Sequence, residues 1–128
     1  MNIAIVFDEE LQGGGGYQQQ LSTILELQKL EQYNFITFVF SKENQTLFES
    51  KGIKSVFIKK TFFDKSIRYI LRQDFFYKFC EKLRIKTFFE KKLDYFDIDL
   101  VYFLFPSLLA TDLVSHNYIV TVWDLCHR

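Results

Sequence analysis

Four consecutive glycines, Gly13, Gly14, Gly15 and Gly16, stand between an apolar run that ends at Asp8 and a helical pattern that starts at Tyr17. Residues without a Cβ adopt positive φ readily and let the backbone approach a ligand closely. The N–H groups opening the following helix favour an anion. A phosphate or a sugar hydroxyl suits such a loop. The familiar nucleotide signatures are absent: a P-loop requires Gly-Lys-Ser/Thr where this chain has Gly16-Tyr17-Gln18, and a GxGxxG begun at Gly13 meets Gln18. A tight strand-to-helix turn needs one or two glycines, so the run of four points to ligand contact as well as to the turn.

Other chemistry-bearing residues are few. Asp8 and Asp124 each follow an apolar run, and paired carboxylates can hydrolyse glycosides. Each aspartate alone reads equally well as a loop or cap residue. His127 is a candidate general base, whereas His116, beside Asn117, reads as a loop residue. Cys80 and Cys126 form no CxxC or other metal spacing, so neither a disulfide framework nor a zinc site is expected, and a reducing cytoplasm suits them.

The elements that must position these residues follow from periodicity. Ile3-Ala4-Ile5-Val6-Phe7 suits a strand buried on both faces. Tyr17, Leu21, Ile24, Leu25 and Gln28 fall at helical spacing and predict a helix to about Gln32. Phe35–Phe40 reads as strand two. Ser41 is a candidate N-cap for a helix carrying Leu47 and Phe48 that Gly52 stops. Ile53–Ile58 reads as strand three. From Asp64 one long helix or two broken ones are expected, with Ile67, Ile70, Leu71, Phe75, Phe79, Leu83 and Phe88 on one apolar stripe. Leu100–Phe105 is strand four, stopped by Pro106. A short helical turn spans Ser107–Leu113, and Tyr118–Val122 is strand five.

Strands alternating with helices demand a parallel sheet, so the expected fold class is α/β. The domain is Rossmann-like and three-layered, with a mostly parallel sheet of order about 3-2-1-4-5 and helices on both faces. A chain of 128 residues makes one such domain. A βα unit begins after strand five and its helix does not follow, which is expected of a domain truncated before a carboxyl-terminal partner. In an open α/β sheet the ligand crevice lies outside the carboxyl ends of the strands where their order reverses, here between strands one and four. Asp8 through Gly16, Phe105-Pro106-Ser107 and Trp123 to Arg128 should converge there.

Sixteen phenylalanines in a chain that is 48% hydrophobic read mainly as Phe replacing Leu in the core. The formal net charge of zero hides an asymmetry. Between Lys59 and Lys92 eleven Lys and Arg face four acids, a net of +7; five basic against twelve acidic residues elsewhere leave −7. Interleaved with those cations are Phe62, Phe63, Tyr69, Phe75, Phe76, Tyr77, Phe79, Phe88 and Phe89. The segment is either an amphipathic helix with a solvated basic face or a patch for an anionic membrane surface, with Lys59, Lys60, Arg68, Arg72, Lys78 and Lys82 as its cations. Aromatics among basic residues also describe a single-strand nucleic-acid groove, but overall neutrality argues against nucleic acid. No apolar run approaches a membrane span of about 20 residues. The expected location is cytoplasmic or peripheral on the inner face of the cytoplasmic membrane.

Met1 to Phe7, then Gly13-Gly14-Gly15-Gly16-Tyr17, and finally Tyr118-Ile119-Val120-Thr121-Val122-Trp123-Asp124-Leu125-Cys126-His127-Arg128 together resemble the amino-terminal domain of the GT-B retaining glycosyltransferases of family 4. The resemblance spans nearly the whole chain and is weak in its middle. It implies the acceptor-side half of a sugar-nucleotide-dependent glycosyltransferase acting on a cell-envelope polysaccharide or lipid-linked acceptor. It also implies that a carboxyl-terminal domain holds most of the donor, that no metal or other cofactor is required, and that the fragment alone is inactive. The substrate-binding residues it implies are Gly13, Gly14, Gly15, Gly16, Tyr17, Trp123 and Asp124. Members carry a histidine where this chain has Trp123. An indole cannot exchange protons at neutral pH, so Trp123 can stack on a sugar or shape the pocket but cannot do acid/base chemistry. The catalytic residue therefore stays unassigned, with Asp124 and His127 as candidates.

The runner-up is a non-catalytic flavodoxin-like or response-regulator-like module binding a nucleotide or a partner. A receiver domain needs an aspartate ending strand three, where Ile58-Lys59-Lys60 stands. A dinucleotide-dependent oxidoreductase lacks the fingerprint glycine, and Ser41-Lys42 stands where a ribose-binding acid should end strand two.

Overall fold

In the computed structural model, residues 1–8, 15–59 and 86–122 are described, together with Ser66, Tyr69, Gln73, Lys78, Phe79 and Lys82. The described elements are β1 (Asn2–Phe7), α1 (Gly15–Leu27), β2 (Asn34–Val39), α2 (Lys42–Ser50), β3 (Ser55–Phe57), α3 (Phe88–Tyr95), β4 (Leu100–Phe103), a 3₁₀ turn (Leu108–Asp112) and β5 (Tyr118–Val120). All strand pairs are parallel and the order is β3-β2-β1-β4-β5, as the alternation of strands and helices predicts. The chain is an α/β domain of Rossmann-like type.

Side chains of a strand alternate between faces, and here both faces are buried. Ile3, Ile5 and Phe7 of β1 pack with Tyr17, Leu21 and Ile24 of α1 and Phe48 of α2. Ala4 and Val6 pack with Phe89 and Leu93 of α3 and Leu109 of the 3₁₀ turn on the opposite face. These are the three layers. Phe7, Phe38, Phe48 and Phe103 are fully buried, so phenylalanine fills the core as its abundance suggests. Each contributes roughly 1.5–3 kcal/mol of transfer free energy. Their rings meet edge to face, with Phe7 5.5 Å from Tyr17 and 5.1 Å from Phe48.

Several boundaries differ from the sequence reading. The first helix ends at Leu27 instead of near Gln32, because its last turn tightens: Lys29 N–H donates to Glu26 O and Leu30 N–H to Leu27 O. Its buried stripe is Tyr17, Gln20, Leu21 and Ile24, whereas Leu25 is exposed. Strands four and five stop at Phe103 and Val120, short of Phe105 and Val122; Phe103 pairs with Val120, so both strands end at the same rung. The expected stripe through Phe79 and Phe88 is corrected too. Both are exposed, at 53% and 43%. Residues 86–87 are not helical, and Thr87 caps a new helix whose inward positions are Phe89 and Leu93. Between residues 64 and 85, Ser66, Tyr69, Lys78, Phe79 and Lys82 are helical and Gln73 lies in a bend; the other residues there lie outside the described ones.

Ser41 caps α2 as expected, its Oγ accepting from Glu43 N–H at 3.2 Å. Gly52 follows α2 with φ of 73°, and Ile53 N–H reaches back to Phe48 O at 2.9 Å. That left-handed residue is why glycine stands there.

Candidate functional site

The strand order reverses between β1 and β4, and the residues just beyond their carboxyl ends form a cleft of about 240 Å³ lined by Val6, Asp8, Phe105, Pro106 and Ser107. The loops after the two strands are joined by a side-chain contact: Ser107 Oγ donates to Asp8 Oδ2 at 2.9 Å. The same hydroxyl accepts from Leu109 N–H at 3.2 Å and so caps the 3₁₀ turn. Strand pairing has ended at Phe103, and Pro106, with its fixed φ, leads the chain on to Ser107, which meets Asp8. Of the segments expected to converge at the switch point, Asp8 and Phe105-Pro106-Ser107 therefore meet there, while residues 9–14 lie outside the described ones. Trp123, Asp124 and His127, the third segment, lie outside the described residues, as do Cys126, Gly13 and Gly14.

Gly15 and Gly16 open α1, the helix that follows β1. Among the described glycines, Gly52 is the one with positive φ, and a Cβ built on Gly15 or Gly16 meets nothing within 4 Å. The fold thus makes no demand for glycine at either position. The first turn of α1 contains no acidic side chain to offset the positive end of its dipole. Tyr17 packs against Phe7 instead of facing solvent, and its buried hydroxyl has no hydrogen-bond partner among the described residues. Burial raises its pKa above the ordinary phenol value of 10.0 by penalising the phenolate. Tyr17 is thereby placed in the core beneath the glycines, not in the cleft.

The chain matches no family model, no curated protein and no solved structure. Site geometry and sequence pattern are what bear on function.

Of the proposed surface cations, Lys59, Lys78 and Lys82 are exposed, and Tyr69 and Phe79 beside them are 70% and 53% exposed. Lys60, Arg68 and Arg72 lie outside the described residues. No helix among the described residues is long and apolar enough to cross a membrane. No group of three or more metal-ligating side chains occurs among the described residues.

A second polar centre escaped the sequence reading. Glu90 is completely buried, and its Oε1 accepts from Val114 N–H at 3.0 Å, Ser115 N–H at 2.6 Å and Ser115 Oγ at 2.9 Å. His116 Nδ1 lies 3.2 Å from the same oxygen and its Nε2 3.6 Å from Asp94 Oδ1. Lys86 Nζ closes the chain at 2.7 Å from Asp94 Oδ2. His116 is in a loop as read, but it is held there. The signal was present: Thr87-Phe88-Phe89-Glu90 has the spacing of a capping box. Thr87 Oγ1 does accept from Glu90 N–H at 3.2 Å, but the Glu90 carboxylate turns to the loop before β5 instead of closing the box. This centre ties α3 to the chain entering β5 and lies apart from the β1/β4 cleft.

Proposed function

We propose that this chain is the amino-terminal, acceptor-side half of a glycosyltransferase that moves a sugar from a nucleotide-sugar donor to a cell-envelope polysaccharide or lipid-linked acceptor. The observation that carries the reading is the pair Gly15 and Gly16. They stand at the carboxyl edge of the sheet beside the switch point, where the fold would accept a side chain and the sequence supplies none. A bare backbone with a dipole-positive helix start suits a diphosphate or a sugar hydroxyl brought close. The resemblance of the first strand, glycine run and last strand to family 4 adds the reaction class. In this reading a second domain supplies most of the donor contacts, and Trp123 shapes the sugar pocket without exchanging protons.

The test separates fold from ligand. Titration of the isotopically labelled chain with a nucleotide sugar should shift the amides of Gly15, Gly16 and Tyr17. Gly16→Ala should leave the melting temperature unchanged or raised, since alanine favours the helix by about 0.5–1 kcal/mol, yet weaken that response by blocking close approach. If the shifted amides all lie away from the loop, the reading is wrong.

The exposed cations and aromatics at Lys59, Tyr69, Lys78, Phe79 and Lys82 favour seating on an anionic membrane surface. Each cation adds roughly 1 kcal/mol near an anionic leaflet. Sedimentation with phosphatidylglycerol vesicles, lost at high salt, is the expected outcome; equal sedimentation with neutral vesicles would count against it.

A further inference from the structure

We infer that α3 lies flat on an anionic phospholipid surface, with Phe88 and Tyr95 entering the headgroup layer on either side of Lys92 and the α1–α2 layer turned away from the lipid. This rests on the membrane seating proposed above for Lys59, Lys78 and Lys82. It adds the helix that makes the contact and the side of the domain that meets the membrane.

Helical spacing divides α3 into two faces. Phe89 and Leu93 are buried in the core on one side of the sheet. Phe88, Lys91, Lys92 and Tyr95 fall at i, i+3, i+4 and i+7 and so form one stripe along the outer side. Phe88 is 43% exposed and Tyr95 77%, and Lys91 is exposed beside them. The Lys92 ammonium stands between the two rings, 5.8 Å from the centre of Phe88 and 5.5 Å from that of Tyr95. Phe96, packed against the core, meets the Tyr95 ring edge to face at 5.1 Å and ties it to the domain.

Rings flanking a cation on a helix face suit a membrane interface, where the rings enter the headgroup region and the cation meets lipid phosphate. Single-stranded nucleic acid calls for a groove that tracks its backbone, and a helix face is convex. A lysine at the middle of the stripe disfavours a protein partner, because lysine is depleted from the buried centre of protein interfaces. Charge selects the same side. Residues 59–92, which end on α3, carry a net of +7, whereas residues 15–51, which include α1 and α2, carry four acids against three lysines, a net of −1. The two layers cover opposite sides of the sheet, so an anionic surface draws the α3 side toward it. Of the acids on α3 and just after it, Glu90 is buried, Asp94 is paired with Lys86 at 2.7 Å and Asp99 accepts the Asn2 N–H at 2.7 Å. Asp97 is exposed two residues past Tyr95.

The experiment measures partition of the whole chain onto vesicles of equal parts phosphatidylglycerol and phosphatidylcholine at low salt. Lys92→Gln should lower the partition constant about fivefold. Phe88→Ala and Tyr95→Ala should each lower it at unchanged melting temperature, and Phe88→Trp should keep it. Lys42→Gln, which removes the same charge from α2, should change it by less than about twofold. With a gadolinium-chelating lipid in the vesicles, the amides of α3 should broaden while those of Gln19 and Ser22 on the outer side of α1 stay sharp. The inference is overturned if Lys42→Gln weakens binding as much as Lys92→Gln, or if the broadening falls on α1 and α2. It is equally overturned if the α3 amides respond to a single-stranded oligonucleotide and not to the vesicles, or if the chain associates with itself through α3 without lipid and Phe88→Ala dissolves the assembly. Wild-type binding that survives every α3 variant removes this inference and keeps the seating at Lys59, Lys78 and Lys82. A wild-type chain that leaves anionic vesicles unbound removes both.

Discussion

Glu90 and Tyr17 show how differently two buried polar side chains serve a fold. One oxygen of Glu90 gathers two backbone N–H groups, a hydroxyl and an imidazole nitrogen. Removing it orphans those donors, and Glu90→Ala should cost about 3 kcal/mol or more, read as a lower midpoint in urea at unchanged slope. Tyr17 is the reverse case, since its hydroxyl is buried with no partner among the described residues. Tyr17→Phe should therefore be neutral or stabilising near neutral pH. Its pKa in the folded chain lies above the unfolded value of 10.0 because burial penalises the phenolate. The phenol's contribution to stability is thus complete below pH 10 and fades as pH rises through the folded value. Melting temperatures from pH 8 to about 11 should fall less steeply for Tyr17→Phe than for the wild-type chain. Tyr17 was legible as an inward residue from its spacing with Leu21 and Ile24. The role of Glu90 was not, because its partners at 114–116 lie a helix and a strand away in sequence.

At the scale of elements, helix ends decide where the strands begin. Gly52 holds φ at 73° and returns the chain from α2 toward β3, so Gly52→Ala should destabilise by about 1 kcal/mol, although open space surrounds the position. The same substitution at Gly16 has no such cost, and comparing the two by thermal melting separates a conformational glycine from one kept for another purpose. Strand ends follow their neighbours. Ser55–Phe57 is the length of ladder that Thr37–Val39 provides, and Tyr118–Val120 matches Val101–Phe103. The sequence shows apolar runs extending further because it marks burial and not pairing. Asn2 adds a polar tie at the opposite edge: its backbone N–H donates to Asp99 Oδ2 at 2.7 Å and its Nδ2 to Asp97 O at 2.9 Å.

For the whole molecule, the sheet divides the core into two clusters that share strands but face opposite helices. Ile24 of α1 and Leu93 of α3 are both fully buried, on opposite sides. Ile24→Ala and Leu93→Ala should each cost about 2–5 kcal/mol. Their sum in the double variant should hold within about 0.5 kcal/mol, because the two sites share no contact. Marked non-additivity in denaturant unfolding would mean that the sheet transmits repacking from one face to the other.

Strand–helix alternation with buried apolar runs determined the parallel sheet and its helical layers, since parallel strands need crossovers and two buried faces need helices on both; the order β3-β2-β1-β4-β5 was expected with strand one central, and the structure has it. The sequence also marked Asp8, Ser107 and the glycines as neighbours, because the edge at which ligands gather follows from topology alone. Tertiary structure alone decided that Ser107 meets Asp8, that Phe105 remains exposed while its sequence neighbour Leu104 is buried, and that Glu90 faces Ser115. Those facts depend on which rung ends a ladder and how a helix is rotated against its sheet. Both are settled by packing between distant segments, which periodicity along the chain does not record.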